Sequence, residues 1–137
     1  MSLLRRKIDD FLKAWKDNED RMPLIVKGAR QVGKTASILQ FAHDNYKNVV
    51  AINFVLQQKY KSIFEDGYEV DGIIRNLTLI DPYIKIEEGN TLIFFDEMQD
   101  CPACATSLKA FKIDGRYDVI CSGSLMGINY REIESNG

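Results

Sequence analysis

The sequence predicts an α/β fold in which helices cover both faces of a parallel sheet. Short apolar segments rich in β-branched and aromatic residues alternate with segments whose apolar residues recur at helical spacing. The strand-like segments are apolar throughout, which is typical of parallel strands buried on both faces. A glycine-rich octapeptide between the first strand and the next helix is a third indication. The chain of 137 residues is the size of one domain.

The chain is predicted to open with an amphipathic helix that docks on the sheet. Its apolar face consists of Leu4, Ile8, Phe11, Leu12 and Trp15, opposite lysines and aspartates. A polar linker, 17–21, then leads into the first strand.

Strands and helices then alternate to the end of the chain. The predicted strands are 23–26, 48–56, 91–95 and 119–121. The predicted helices carry Ile38, Leu39, Ala42 and Tyr46, then Tyr60, Ile63 and Phe64, then Val70, Ile73, Ile74 and Leu77, and finally Leu108 and Phe111. Because ligands of such sheets bind at the carboxyl ends of the strands, the motifs that follow these strands are the candidate site.

The octapeptide Gly28-Ala29-Arg30-Gln31-Val32-Gly33-Lys34-Thr35 fits the phosphate-binding pattern G-x-x-x-x-G-K-[ST]. Its glycines let backbone N–H groups turn inward around phosphate oxygens, and the following helix adds its positive end. Lys34 supplies a full charge to the outer phosphates, and the Thr35 hydroxyl can ligate Mg²⁺. A plain glycine-rich turn before a helix does not explain Lys34-Thr35. The predicted phosphate-binding residues are Gly28, Ala29, Arg30, Gln31, Val32, Gly33, Lys34, Thr35 and Ala36.

A second acidic motif follows the strand 91–95. Asp96 is expected to meet the Mg²⁺ held by Thr35, and Glu97 is the natural general base for an attacking water. An acidic pair here favours a nucleotide hydrolase over a nucleotide kinase, which activates a substrate hydroxyl in a dedicated pocket. Acidic residues after a strand can also be a helix cap, but the phosphate-binding loop about 60 residues upstream makes the paired motif specific.

The last strand ends in Ser122-Gly123-Ser124. If this strand inserts between the loop-bearing strand and the strand before Asp96, the serine hydroxyls face the γ-phosphate and the hydrolytic water, as a sensor residue does. A solvated Ser-Gly turn is the alternative for either serine. The candidate catalytic residues are therefore Lys34, Glu97, Ser122 and Ser124, and Gln99 is a further candidate for lining the site.

Composition excludes several classes of protein. There are 18 basic and 20 acidic residues without a basic block, so the chain has no electrostatic footprint for nucleic acid. It has neither an apolar run long enough to span a membrane nor a signal-peptide pattern. We expect a soluble, cytoplasmic protein that does not bind a membrane.

Three cysteines, an odd number, argue against a secreted disulfide framework. Cys101-Pro102-Ala103-Cys104 matches C-x-x-C, which could be a redox pair or half of a zinc site. A zinc site needs four ligands, and only Cys121 and His43 remain. The alternative is a helix start, with Pro102 in the first turn and Cys104 packed in the core. His43 is expected on the helix after the phosphate loop, as an ordinary surface histidine or one with its hydrogen bonds satisfied, and not as a catalytic residue.

Five blocks together resemble one family: residues 23–35, 48–54, 91–99, 107–111 and 123–127. The chain is similar to the AAA-superfamily ATPases of prokaryotes that carry a C-terminal domain of unknown function. The resemblance covers nearly the whole chain and implies a three-layer P-loop NTPase fold with strand order 5-1-4-3-2. It implies ATP and Mg²⁺ as ligands, with 28–35 as the phosphate loop, Asp96 and Glu97 as the acidic pair, and Ser122 or Ser124 in the sensor region.

The resemblance also implies a truncated core. Residues 1–20 would be the N-terminal helix and linker, and 21–137 the nucleotide-binding core without strand 5 and the helical lid. The P-loop strand would then be a sheet edge, open to self-association or to cover by the N-terminal helix. None of Arg30, Arg75, Arg116 and Arg131 is identifiable as an arginine finger. Since such a residue contributes about 10³ to 10⁵ in rate, the fragment alone should be weakly active or inactive.

The sequence therefore predicts an ATP-binding AAA-type domain whose parent protein hydrolyses ATP with Mg²⁺. A nucleotide-dependent switch or binding module with negligible turnover is the alternative, and a phosphotransferase is the third. A protein or nucleic-acid partner would bind through the further C-terminal domain.

Overall fold

The computed structural model describes residues 3–27 and 33–123, with side chains from residue 7 onward. The described part contains four strands, four α-helices and two 3₁₀ helices. In chain order these are α1 (Leu3–Asp17), β1 (Leu24–Lys27), α2 (Lys34–Asn45), β2 (Asn48–Asn53), a 3₁₀ helix (Gln58–Phe64), α3 (Val70–Ile80), β3 (Thr91–Asp96), a 3₁₀ turn (Met98–Asp100), α4 (Pro102–Asp114) and β4 (Asp118–Gly123).

The four strands form one parallel sheet in the order β1-β4-β3-β2. The last strand thus lies between the first and the third, and Phe94 of β3 and Leu24 of β1 both pair with Ile120 of β4. This order confirms the α/β P-loop NTPase fold and agrees with four of the five strands implied by the resemblance. No fifth strand is present in the ranges 3–27 and 33–123.

Two hydrophobic clusters sandwich the sheet because its strand residues alternate between the faces. On β3, Leu92 and Phe94 pack with α1 and α2, whereas Ile93 and Phe95 pack with the 3₁₀ helix, α3 and α4. All six residues of β3 are buried. The protein therefore has three layers, and β3 is a central strand whose end, Asp96, has a fixed position.

Two predicted details are wrong, and both concern apolar residues that the structure exposes. Phe11 was expected on the docking face of α1, yet it is 57% exposed while its neighbour Leu12 is fully buried. The buried stripe of α1 is narrower than the apolar pattern, with Ile8 and Trp15 flanking Leu12.

The second strand is shorter than its apolar run, since it ends at Asn53 and not at Leu56. Oδ1 of Asn53 accepts hydrogen bonds from the backbone N–H groups of Val55 (2.9 Å) and Leu56 (3.0 Å). This local turn takes the backbone donors that a longer strand would need, and it leaves Leu56 80% exposed.

Strand β1 is an edge of the described sheet. It pairs with β4 alone among the described strands. Leu24 and Val26 pack partly against the α1–α2 side, and Ile25 packs partly against the other side. The helix α1 packs chiefly against α2. Self-association through the edge strand β1 therefore stays a prediction.

Candidate functional site

The candidate site lies at the carboxyl ends of β1, β3 and β4, where the parallel strands bring three motifs together. Strand β1 leads into the glycine-rich loop, β3 ends at Asp96, and β4 ends at Ser122 and Gly123. Of the residues predicted here, Gly28, Ala29, Arg30, Gln31, Val32 and Ser124 lie outside the described residues. The geometry that follows therefore comes from 33–37, 96–99 and 122.

The helix α2 begins directly after Gly33, which has φ +96°, a left-handed conformation. No atom lies within 4 Å of the position that a Cβ would take at Gly33, so the backbone angle and not the available space favours glycine. The N–H of Ser37 donates to the carbonyl of Gly33 at 2.8 Å and closes the first turn. Lys34 and Thr35 lie in that turn and are half-buried, while Ala36 is exposed. A helix start of this kind attracts anions through its N–H groups and its dipole.

The structure brings Thr35 and Asp96 into contact although 61 residues separate them in the sequence. Oγ1 of Thr35 donates to Oδ2 of Asp96 at 3.2 Å. Asp96 is 9% exposed at the end of the fully buried β3. The helix start and the acidic residue at the end of β3 thus meet in the fold, as the sequence predicts.

The other oxygen of Asp96 is held by two donors. Oγ of Ser122 donates to Oδ1 at 2.5 Å, and the backbone N–H of Glu97 donates to the same atom at 2.9 Å. Ser122 is fully buried, so this contact is shielded from water. These contacts hold Oδ1 and leave Oδ2 directed at Thr35, which gives the carboxylate one defined orientation. Of the two interpretations of Ser122, the solvated turn is wrong, since water does not reach this hydroxyl.

Glu97 differs from Asp96 in both backbone and environment. Its φ of +57° is left-handed, which is uncommon for a residue with a side chain, and its side chain is half-buried. The N–H of Asp100 donates to its carbonyl at 3.1 Å, so a tight 3₁₀ turn starts at Glu97. Nε2 of Gln99 donates to its Oε2 at 3.3 Å. Strained backbone of this kind is concentrated at functional sites.

The contact between Gln99 and Glu97 is the site feature that the sequence revealed least. From the sequence, Gln99 was a candidate only for lining the site, because it follows the acidic pair by two residues. The left-handed turn brings the two side chains together, and no helical or strand periodicity predicts such a turn.

The cysteines belong to the core. Pro102 is the first residue of α4, as the helix-start interpretation predicts, and Cys104 is fully buried with Cys121. Burial raises the pKa of the Cys101 thiol, and the pKa of Cys104 is raised by burial and by its contact with Cys121. Across 3–27 and 33–123 no cluster of histidine, cysteine and acidic residues has the arrangement of a metal site. His43 is exposed near the end of α2, as predicted.

Of the four arginines considered as fingers, Arg30 and Arg131 lie outside the described residues. Arg116 precedes β4 and therefore lies at the amino ends of the strands, at the end of the sheet opposite Asp96, where it pairs with Asp71 at 2.6 Å and Asp114 at 2.7 Å. Arg75 is exposed on α3. The ion pairs of Arg116 with Asp71 and Asp114 hold its guanidinium away from the candidate site of its own chain.

No helix within the described ranges is both long and apolar enough to cross a bilayer.

Comparisons with known proteins identify the family. A family model described as an AAA domain matches residues 20–136. No curated protein matches the chain. Among solved structures, that of C. elegans PCH-2 is similar over 96% of this chain and 37% of that chain, with 16% identity and a TM-score of 0.48. The chain thus spans little more than a third of that protein's length. With its parallel sheet and its helix start after Gly33 facing Asp96, the chain belongs to the AAA domain family, a family of nucleotide-binding domains of the ATPase type.

Proposed function

We propose that this chain is an ATP-binding AAA domain and that the protein containing it hydrolyses ATP with Mg²⁺. The observation that carries the proposal is the contact between Oγ1 of Thr35 and Oδ2 of Asp96. It joins the two motifs that a phosphate-bound metal needs, one at a helix start and one at a buried strand end. The predicted loop 28–33, with Lys34, Thr35 and Ala36, would surround the phosphates.

The residues present fit a magnesium ion. The hydroxyl of Thr35 and the carboxylate of Asp96 are both hard oxygen donors, and they lie 3.2 Å apart at the carboxyl end of β3. Mg²⁺ prefers such donors and is usually held by one or two protein oxygens together with water and substrate phosphates. We infer that Thr35 and Asp96 hold it, and that the bound ion would neutralise charge on the phosphates.

The remaining roles follow from position and charge. Lys34, in the first turn of α2, supplies a full positive charge to the outer phosphates. Glu97 follows Asp96 directly and is half-buried, so its carboxylate can accept a proton from a water while staying in reach of solvent. Ser122 holds Oδ1 of Asp96 and thereby fixes the direction of Oδ2. We retain Ser124 as a sensor candidate from the sequence pattern.

The wider protein is also a proposal. By resemblance we infer a C-terminal domain of unknown function beyond this core, through which a protein or nucleic-acid partner binds, and a cytoplasmic location. The edge strand β1 supports a further proposal, namely pairing of this edge with a second copy of the chain.

The substitution Glu97→Gln tests hydrolysis separately from binding. In the complete protein containing this chain, we expect ATP turnover to fall by about 10² to 10⁴, the usual contribution of a general base. The dissociation constant of a fluorescent ATP analogue should change little, since the substitution keeps the size of the side chain. The matched control is Glu65→Gln, at an exposed residue after the 3₁₀ helix Gln58–Phe64, which should leave both quantities unchanged.

The alternatives give different results in the same assay. Unchanged turnover in the Glu97→Gln variant would remove the hydrolase proposal. Negligible turnover in the unsubstituted protein, with tight nucleotide binding, would support the switch module, and ATP consumption that requires an acceptor substrate would identify a phosphotransferase.

A further inference from the structure

We propose that Gln99 is a positioning residue that orients the carboxylate of Glu97 for proton transfer. The inference rests on the proposed function, because it assigns a role to Gln99 in the same site. Its basis is the hydrogen bond from Nε2 of Gln99 to Oε2 of Glu97, 3.3 Å long. The acidic pair Asp96-Glu97 therefore has supporting contacts for both of its members, and those contacts come from different elements.

Asp96 and Glu97 need different support. Asp96 is almost fully buried, and donors from Ser122 and from Thr35 hold its two oxygens. Glu97 is half-buried, and three side-chain torsions lie between its backbone and its carboxylate. A general base must stay within hydrogen-bond reach of the proton that it takes. A side chain of this length needs a fixed partner to be held in one orientation.

The backbone around Gln99 provides that fixed partner. Met98 is fully buried and Cys101 is 4% exposed, and the N–H of Cys101 donates to the carbonyl of Met98 at 3.0 Å. The 3₁₀ turn that carries Gln99 is thus anchored in the core on both sides. The left-handed φ of Glu97, +57°, turns the chain so that side chains two residues apart meet.

The chemistry of an amide suits this role. The side chain of Gln99 is neutral, so it can donate to a carboxylate without cancelling its charge, whereas a lysine or arginine would stabilise the ionised form and weaken the base. The contact is 3.3 Å long and joins two groups of one tight turn, so it orients the carboxylate from a fixed backbone. An oriented base that keeps its charge is what abstraction of a proton from water requires.

The substitution Gln99→Met tests the proposal, since methionine is close in size but cannot donate a hydrogen bond. In the complete protein, we expect kcat for ATP hydrolysis to fall about tenfold or more, in line with the cost of misplacing a reacting group. The dissociation constant of the ATP analogue should stay within about twofold. Gln99→Glu should lower kcat further, because it removes the N–H donor and the repulsion between two neighbouring carboxylates displaces that of Glu97.

Gln40→Met is the matched control. Nε2 of Gln40 also donates to a carboxylate, that of Asp44, at 3.0 Å, but on the exposed surface of α2. This variant should keep the parent kcat. A kcat unchanged in Gln99→Met, or a fall matched by Gln40→Met, would overturn the proposal. So would a parallel loss of nucleotide affinity and thermal stability in Gln99→Met, which would mark a merely structural residue.

A double-mutant cycle separates this inference from the proposed function. If Gln99 acts through Glu97, adding Gln99→Met to Glu97→Gln should change the residual single-turnover rate by less than about twofold. Fully additive losses would overturn the positioning role while leaving hydrolysis by the site intact. If Glu97→Gln alone hydrolyses ATP at the parent rate, the proposed function fails, and the role of Gln99 fails with it.

Discussion

The hydroxyl of Ser122 donates a 2.5 Å hydrogen bond to Oδ1 of Asp96, and thereby joins the ends of two neighbouring strands that are 26 residues apart in the chain. Both side chains are buried, at 0% and 9% exposure. The contact uses the oxygen of Asp96 that does not face Thr35. The orientation of the candidate metal ligand is therefore set by the serine at the end of β4, which the strand order places beside it.

The substitution Ser122→Ala should lower the free energy of unfolding by about 1.5–3 kcal/mol, the usual contribution of a hydrogen bond to a charged group. Urea unfolding measures this change. The matched control is Ser107→Ala, because the buried hydroxyl of Ser107 donates to a neutral acceptor, the carbonyl of Cys104, at 2.6 Å. Its cost should be about 1 kcal/mol. Equal losses in the two variants would contradict a special role for the Asp96 contact.

Glycine at position 33 should be needed for nucleotide binding as well as for stability. Gly33→Ala and Gly115→Ala both place a side chain at a left-handed φ, +96° and +73°, with no atom within 4 Å of the new Cβ. Each should cost about 1–2 kcal/mol of stability. Only Gly33 precedes α2, so only its substitution should weaken binding of a fluorescent ATP analogue. The expected loss of affinity is about tenfold, because about 1.4 kcal/mol of strain in the nucleotide-bound loop corresponds to a factor of about ten. Parent-like affinity in Gly33→Ala would contradict the phosphate-loop assignment.

The three thiols should be unreactive in the folded protein. All are buried, and burial raises the pKa of Cys101 and Cys104, so little thiolate is present near neutral pH. Labelling with a chromogenic disulfide reagent should follow global unfolding and accelerate with urea. A cysteine introduced by Thr106→Cys on the exposed face of α4 should react rapidly and serves as the control. Rapid labelling of the unsubstituted chain would show that the thiols are accessible.

Stability should fall at alkaline pH partly because of Tyr46. Burial and a hydrogen bond to Oδ2 of Asp118 raise the pKa of Tyr46 above its ordinary value of 10.0. In the unfolded chain this tyrosine loses its proton near pH 10.0, while in the folded chain it keeps it. The folded state then binds more protons, so the contribution is complete below about pH 10 and declines as the pH rises further.

Tyr46→Phe should remove this part of the alkaline decline. Urea unfolding at about pH 8, 10 and 11 should show a shallower loss of stability in the variant than in the parent. Tyr83→Phe, at a tyrosine that is 91% exposed, is the matched control. Identical pH profiles of the parent and Tyr46→Phe would show that Tyr46 does not contribute.

The sequence predicted most elements of the fold because their patterns are local. All four strands and α1, α3 and α4 begin within a few residues of the expected positions, since apolar runs and helical spacing record which faces are buried. The errors arose where an apolar residue is not buried. A turn closed by the side chain of Asn53 exposes Leu56, and the narrow buried stripe of α1 leaves Phe11 exposed. Neither is visible in hydrophobicity alone.

For the site, residue types and spacing predicted that Thr35 and Asp96 would meet, because a phosphate loop followed by an acidic strand end is the pattern of two motifs that share a ligand. The pattern left Ser122 and Ser124 equivalent. The structure describes Ser122, which is buried in β4 and bonded to Oδ1 of Asp96, whereas Ser124 lies outside the described residues.

By itself, the amino-acid sequence determined the fold class, the order of strands and helices along the chain, and the chemical groups available for binding phosphate. The tertiary structure decided which groups support the acidic pair. The strand order places β4 beside β3 and so brings Ser122 to Asp96. The left-handed backbone at Glu97 brings its carboxylate to the amide of Gln99. Local patterns reflect burial within a few residues, whereas these contacts depend on the pairing of distant strands and on a single unusual turn.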